Sequence, residues 1–194
     1  GSVINNNGEL LIDNTGSEGI KVGELGHVIN SNGVININNA GEKGILIASR
    51  FYDNNQVLNK TDEVNITNTG AGGIQVQGRV EGYGVNIDNK DSNVILGYKD
   101  EIENDVVPEN FVVSHKDVNI DVKNGNIYNY GTKRNLIKAD GNLNMDVQNG
   151  AIGKEVGPCE GGQCTGIIGD SRDLTKSINT NVKGNIKAIS TKGS

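Results

Sequence analysis

The chain has few aromatic, sulfur-containing or ring-constrained residues. Among its 194 residues there are no Trp, one Met, two Cys and two Pro, and aromatic residues make up 4%. Without large aromatic side chains, a core must be filled by smaller aliphatic groups. No apolar run approaches the about 20 residues that a membrane-spanning helix needs, so we expect no such helix. The formal net charge of −6 provides no basic footprint, so we predict no nucleic-acid partner.

The two cysteines, Cys159 and Cys164, lie close together and are separated by Glu-Gly-Gly-Gln. Two thiolates are too few for a structural zinc site, which takes four ligands. A thioredoxin-like redox role needs a closer spacing and a helix after the first cysteine. The glycines make a tight loop easy to close, so the spacing favours a local disulfide in an oxidising compartment. Such a bond closes a short loop and would contribute modestly to overall stability.

What the chain does contain is a repeated pair of short apolar strands. It is rich in Ile, Val and Asn and has 28 Gly, a composition typical of strands separated by turns. Evenly spaced Ile and Val also argue against a disordered chain. The spacing is nearly constant, since Ile12 is followed by Ile20, Ile37 by Ile45, and Ile66 by Ile74. The first strands are predicted at 10–14, 35–38, 64–68, 85–89, 118–122 and 143–147, and the second strands at 19–22, 44–47, 73–76, 93–96, 125–128 and 150–153.

A third apolar stretch completes several repeats, at 27–30, 56–59, 111–114 and 135–138. Three short strands per repeat form one coil of a triangular solenoid, in which each unit buries its apolar face against its neighbours. We therefore predict an all-β fold, a right-handed parallel β-helix of about seven coils, since parallel crossovers are right-handed. Residues in excess of a minimal coil are predicted to form protruding loops at 50–55, 98–110 and 155–172. The alternative is an antiparallel sandwich or barrel, because Asn32-Gly33 and Asn149-Gly150 are hairpin signals.

A row of asparagines follows the anchor isoleucines at a fixed distance: Asn14, Asn39, Asn68 and Asn89. In consecutive coils these side chains would stack about 4.8 Å apart. Stacked amides can donate to one neighbour and accept from the other, as in cross-β structures. We therefore predict a structural asparagine ladder. It should end where Val122 and Val147 occupy the same position, and an aliphatic stack should continue from there.

The C-terminal part contains a sequence motif at residues 141–153 and 177–188. In this motif a strand is followed by Asn149-Gly150, the triplet Ala151-Ile152-Gly153, an insertion, a second strand and a Gly-x-Ile-x-Ala stretch at 184–188. The motif resembles the repeats of large secreted bacterial exoproteins of the filamentous-haemagglutinin type, which are exported by two-partner secretion. That group includes adhesins, contact-dependent inhibition proteins and leukotoxin-like cytotoxins, and the passengers of monomeric autotransporters look similar. The resemblance spans residues 8–188 and implies a virulence factor that forms a surface-displayed rod, secreted or on the bacterial outer surface.

The chain is interpreted as one piece of such a rod. Residues 1–2, Gly1-Ser2, are interpreted as a cloning scar. Residues 3–194 are predicted to form a single β-helix segment excised from a longer protein, whose flanking coils would stack on it. No cofactor or metal is predicted.

Three aspartates occupy matching positions after the anchor residues: Asp88, Asp121 and Asp146. Paired carboxylates on the outer face of a β-helix suit acid–base catalysis on carbohydrates or Ca²⁺ binding. The simpler interpretation is a solvated outward position, and we favour it because no Lys or Arg lies in a matching register. The two histidines, His27 and His115, lack a nucleophile motif and are predicted to be exposed rim residues.

The loops are the stronger candidates for binding, because rigid scaffolds that present loops are a common binding design. One insertion combines a cation with two aromatic side chains, and the next is acidic. Together with the Cys159–Cys164 loop, the candidate residues are Arg50, Phe51, Tyr52, Asp100, Glu101, Glu103 and Asp105. We predict a non-catalytic segment that contacts a host-cell surface protein or glycan. The alternatives are a carbohydrate-active enzyme of the polysaccharide lyase or glycoside hydrolase type, and a purely structural spacer.

Overall fold

Short β-strands that recur in a cycle of three build the polypeptide. The computed structural model describes residues 2–48, 55–97, 111–129, 136–153 and 180–191, and these contain strands, turns and bends but no helix. Alternating apolar and polar residues explain the strands, since one side chain in two points to the inside. The β-branched Ile and Val at the inward positions favour the extended backbone.

Three parallel sheets, A, B and C, run along the molecule, and most coils add one strand to each in turn. Sheet A contains β1 (Val3–Asn5), β4 (Val28–Asn30), β7 (Asn55–Asn59), β10 (Arg79–Gly82), β13 (Val112–Ser114), β16 (Ile137–Ala139) and β18 (Thr180–Val182). Sheet B contains β2 (Leu10–Asn14), β5 (Ile35–Asn39), β8 (Val64–Asn68), β11 (Val85–Lys90), β14 (Val118–Lys123), β17 (Leu143–Gln148) and β19 (Ile186–Ser190). Sheet C contains β3 (Gly19–Val22), β6 (Gly44–Ile47), β9 (Ile74–Val76), β12 (Val94–Leu96) and β15 (Ile127–Asn129).

Each coil therefore begins in sheet A, crosses to sheet B and then reaches sheet C. The first coil comprises β1, β2 and β3, the second β4, β5 and β6, and the last described coil comprises β18 and β19. All strand pairs are parallel, and sheets A and B each hold seven strands among the described residues. The prediction of a parallel β-helix of about seven coils is confirmed.

The core is a set of aliphatic stacks inside the coils. In sheet B, Ile37 pairs in register with Ile66, and Ile66 with Ile87. These three side chains are at most 1% exposed. Phe111, just before β13, is buried as well. Truncating one such aliphatic side chain to Ala would cost about 2–5 kcal/mol of stability, because the rigid stacks above and below cannot close the cavity.

The later corners between sheets B and C depend on an Asn-Gly pair. Asn124 and Asn149 have positive φ values of 53° and 57°, a conformation that Asn tolerates better than most residues. The glycine that follows must be small, because a Cβ on Gly150 would lie 1.7 Å from the Gly125 oxygen. A Cβ on Gly125 would lie 1.8 Å from the Ser92 oxygen. The corners thus stack backbone upon backbone, and the Asn149-Gly150 hairpin signal marks a solenoid corner.

The structure differs from the predictions in three details. The stretch 150–153 is not a strand, because only Ile152 forms a bridge, with Ile127. Two strands of sheet A were missed, namely β1 and β10, whereas β18 lies within the second strand predicted in the stretch 177–188. The predicted insertion at 50–55 is one residue too long, since Asn55 already belongs to β7. The rest of that insertion and those at 98–110 and 155–172 lie outside the described residues.

Candidate functional site: ladders, acidic row and one edge of the solenoid

The asparagine ladder lies inside the corner between sheets B and C. Asn14 Nδ2 donates to Asn39 Oδ1 at 2.7 Å, Asn39 Nδ2 to Asn68 Oδ1 at 2.8 Å, and Asn68 Nδ2 to Asn89 Oδ1 at 2.8 Å. The last three amides are at most 4% exposed. Each also bonds its own corner, as when Asn68 donates to the Gly70 oxygen at 2.9 Å and accepts from the Gly70 N–H at 3.1 Å. Buried amides with their hydrogen bonds made specify one register between coils.

The ladder ends where the strand position changes from Asn to Val. Asn89 pairs in register with Val122, and Val122 with Val147. Both valines are buried. The last amide is satisfied locally, because Asn89 Nδ2 donates to the Ser92 oxygen at 2.7 Å and the Ser92 hydroxyl donates to Asn89 Oδ1 at 3.2 Å. The solenoid thus passes from a polar to an aliphatic corner without an unsatisfied amide at the junction.

A second asparagine ladder, which the sequence reasoning missed, runs along the outer face of sheet B. Each amide Nδ2 donates to the Oδ1 of the preceding coil: Asn65 to Asn36 at 2.9 Å, Asn86 to Asn65 at 2.8 Å, Asn119 to Asn86 at 2.8 Å, and Asn144 to Asn119 at 2.9 Å. Asn36 in turn donates to Glu9 Oε2 at 2.8 Å. The two ladders have opposite polarity, since the inner amides donate towards the C-terminal coils. The sequence did contain a signal for the outer ladder, because an Asn follows the first buried residue in each of the strands β5, β8, β11, β14 and β17.

Beside the outer ladder, the three predicted aspartates form an acidic row. Asp88, Asp121 and Asp146 pair in register across three coils, so their strands lie about 4.8 Å apart. Partial burial raises the pKa of Asp121 above its ordinary value, the charges of Asp146 and Asp88 raise it further, and Lys123 opposes them. Lys123 pairs in register with Lys90, so the expectation that no Lys or Arg lies in a matching register is wrong. With Gln148 the three aspartates line a shallow depression on the outer face. A carboxyl with a raised pKa beside a second carboxyl is an arrangement that general acid catalysis can use.

The acidic row does not converge on a common point. Among the described residues, no group of three or more His, Cys, Asp or Glu side chains is arranged to hold a metal ion. The row is also interrupted towards the N-terminus, because Asn38 and Thr67 lie between Asp13 and Asp88 in the register. The geometry is that of side chains projecting in parallel from neighbouring strands.

His115 lies on the rim between sheets A and B among charged neighbours. Its Nε2 is 3.1 Å from Glu81 Oε2, and its Nδ1 is 3.7 Å from Asp140 Oδ2. The ring stacks on Tyr83 with a centroid distance of 4.5 Å. Lys183 Nζ lies 2.9 Å from Asp140 Oδ1, and this hydrogen bond lowers the pKa of Asp140. His115 is exposed, as predicted, and its cluster joins the last four described coils.

The remaining predicted residues are less informative. His27 precedes β4 and is half-buried rather than exposed. Its backbone carbonyl accepts a hydrogen bond from the Val3 N–H at 2.8 Å, which links it to the first coil. The other candidates lie outside the described residues: Arg50, Phe51, Tyr52, Asp100, Glu101, Glu103, Asp105, Cys159 and Cys164.

Among the described residues, the ends of every long connection lie at one corner, the passage from sheet C of one coil to sheet A of the next. The described residues on either side of the four connections are Ala48 and Asn55, Gly97 and Phe111, Asn129 and Leu136, and Gly153 and Thr180. Where no insertion occurs, the same passage is short: only Gln77 and Gly78 separate β9 from β10. Because the coils are stacked in register, the four departure points lie along one edge of the rod. The sequence predicted three insertions but not that they share an edge.

Two further findings concern the chain as a whole. The described residues include no helix that could span a membrane. Comparisons with protein-family models, with curated proteins and with solved structures find no match. The resemblance to filamentous-haemagglutinin-type exoproteins therefore stays a prediction from the repeats.

Proposed function

We propose that this chain is a non-catalytic β-helix segment of a secreted or outer-surface bacterial exoprotein that contacts host cells, as part of an adhesin or a cytotoxin. The observation that supports this function is the single edge from which all four long connections depart. In repeat proteins, insertions on one face are often the binding face, and a rigid scaffold with variable loops is a common binding design. The partner would be a host-cell surface protein or glycan.

The two ladders contribute rigidity to this proposal. Parallel pairing repeats in every coil, and the inner and outer amides connect successive coils in addition to the backbone. Departure points in neighbouring coils are therefore separated by multiples of about 4.8 Å. Several weak contacts held at fixed separations on one partner increase the overall affinity without any single strong contact.

The test is binding of the fluorescently labelled protein to leukocytes and epithelial cells by flow cytometry, with excess unlabelled protein as competitor. We expect saturable, competable binding. Replacing residues 99–109 by a Gly/Ser linker of equal length should weaken it, because that segment connects Gly97 to Phe111, which lie on the proposed edge. The matched control is the Asp121→Asn, Asp146→Asn variant, which changes the outer face of sheet B and should bind normally. Absence of competable binding by a folded sample would contradict the proposal and favour a structural spacer.

A carbohydrate-active enzyme is the second candidate, and the raised pKa of Asp121 beside Asp146 is the observation that favours it. That function predicts cleavage of uronate polymers and loss of cleavage in the Asp121→Asn, Asp146→Asn variant. The proposed binding function predicts no turnover by either protein. Release of reducing ends or of unsaturated sugars from polygalacturonate and alginate distinguishes the two functions.

A further inference from the structure

The two end coils of the described solenoid leave inward apolar side chains partly exposed, whereas interior coils bury them. In the first coil, Val3 is 45% exposed although its register partner Val28 is buried, and Ile12 is only partly buried. In the last described coil, Ile186 is only partly buried although its register partner Leu143 is buried. The outward residues Ile4, Leu11 and Ile189 add apolar surface, with exposures of 65%, 53% and 45%. No strand among the described residues covers either end of sheet B. Both ends therefore resemble interior coils from which one neighbour has been removed.

Both ends also present backbone groups in the pattern of an interior strand. The Leu10 N–H donates to Val34 of the second coil at 2.9 Å, and the Ile35 N–H donates to Glu63 of the third at 3.0 Å. Successive residues of a strand alternate in the side to which they hydrogen-bond, so the Leu11 N–H points away from the second coil. By the same repeat, the Ile186 N–H points away from β17, towards a coil beyond β19. Among the described residues, the outward-facing donors and acceptors of the two edge strands, β2 and β19, are complementary in register.

The two end coils carry opposite charge. The first coil and its turn contain Glu9, Asp13, Glu18 and Glu24 against a single Lys21. Residues 180–191 contain Lys183 and Lys187 and no carboxylate side chain. Complementary charge of this kind favours contact between the first coil of one copy and the last described coil of another, and it disfavours contact between two identical ends.

We propose that the last described coil of one copy stacks in parallel on the first coil of a second copy, so that the chain associates head to tail. Continuing the register of sheet B places Ile186 on Leu10 and Ala188 on Ile12. Lys187 then lies over Leu11, between Glu9 and Asp13 of the second copy on the same outer face. A heterologous contact of this type extends into a filament because it leaves one free end of each kind. This association does not depend on the proposed cell-binding function.

The test is sedimentation equilibrium of the full chain under reducing conditions over a wide concentration range. We expect a mass that rises above the 20.5 kDa of the monomer with concentration. Asp13→Lys and Lys187→Glu should each weaken association about tenfold, because attraction becomes repulsion, whereas an equimolar mixture should associate again. A wild-type mass that stays at 20.5 kDa, or a mixture that does not associate, would overturn the proposal.

A second pair of variants separates edge pairing from general hydrophobic adhesion. Leu11→Pro removes an N–H that faces away from the second coil, so it should prevent association while leaving the circular dichroism spectrum unchanged. Leu25→Ala is the matched control, because Leu25 is 77% exposed and lies between strands, away from the edge of sheet B. It should associate as the wild type does. Loss of association in Leu25→Ala, or full association of a folded Leu11→Pro, would contradict the proposed interface.

Discussion

Replacing Asn68 by Ala removes a central amide of the buried ladder. Five hydrogen bonds are lost: one from Asn39, one to Asn89, two with the backbone of Gly70, and a long one to the Ser92 hydroxyl at 3.5 Å. At about 1 kcal/mol net for each of the four shorter bonds, the free energy of unfolding should fall by about 4 kcal/mol. The side chain is fully buried, so water cannot replace the lost partners without entering the corner. A loss of this size is a large fraction of the about 5–15 kcal/mol that stabilises a typical domain.

The assay is equilibrium unfolding in urea followed by far-ultraviolet circular dichroism, with hydrogen exchange at the corner after β8 as a local readout. The matched control is Asn65→Ala in the same strand. Asn65 makes two inter-coil amide bonds, to Asn36 and from Asn86, but it lies half-exposed on the outer face. Water can solvate the partners there, so the cost should stay below about 1 kcal/mol. Equal costs for the two variants would refute the argument that burial makes the inner ladder important.

Two further predictions concern a corner and the acidic row. Gly150→Ala should destabilise the fold severely, because its Cβ would lie 1.7 Å from the Gly125 oxygen, whereas Gly23→Ala, with nothing within 4 Å, should be nearly neutral in thermal unfolding. A mild Gly150→Ala variant would show that the corners can separate. The surroundings of Asp121 raise its pKa, so ionisation of this carboxyl destabilises the folded state. Asp121→Asn should therefore stabilise the protein at neutral pH. The gain in stability should vanish in acid, at pH values below the usual pKa range of Asp. A pH-independent effect of Asp121→Asn would contradict the assigned cause.

The repeat itself was predictable, because in-register stacking gives equivalent positions equivalent surroundings. Ile37, Ile66 and Ile87 occur at the same point of successive units and form one stack in the structure. The inner ladder follows from the same reasoning, since Asn39 and Asn68 hold one position relative to those anchors. One side chain per coil in a constant environment is a signal that a single sequence can carry.

Features that depend on the relation between different coils were not predictable. The outer ladder looked like ordinary polar positions, because alternation places Asn65 outside but does not orient its amide towards Asn36. The cluster of His115 with Glu81 and Asp140 joins coils whose lengths differ through insertions, so sequence distance gives no indication of contact. Short strands of sheet A were missed for another reason: β10, for example, contains a single buried aliphatic residue, too little for a periodic signal. The common edge of the insertions became visible only when the strands had been assigned to sheets.

The ladders, the single edge and the stacking of copies all follow from one claim, that strands of sheet B stack in parallel once per coil. Spin labels at Asp13→Cys and Asp146→Cys, with Cys159 and Cys164 replaced by Ser, test it by pulsed electron paramagnetic resonance. These positions occupy one register row and lie five coils apart. We therefore expect a narrow distance distribution centred at about 24 Å, which is five times the ~4.8 Å spacing between coils. A broad distribution, or a main distance far from this value, would contradict the account.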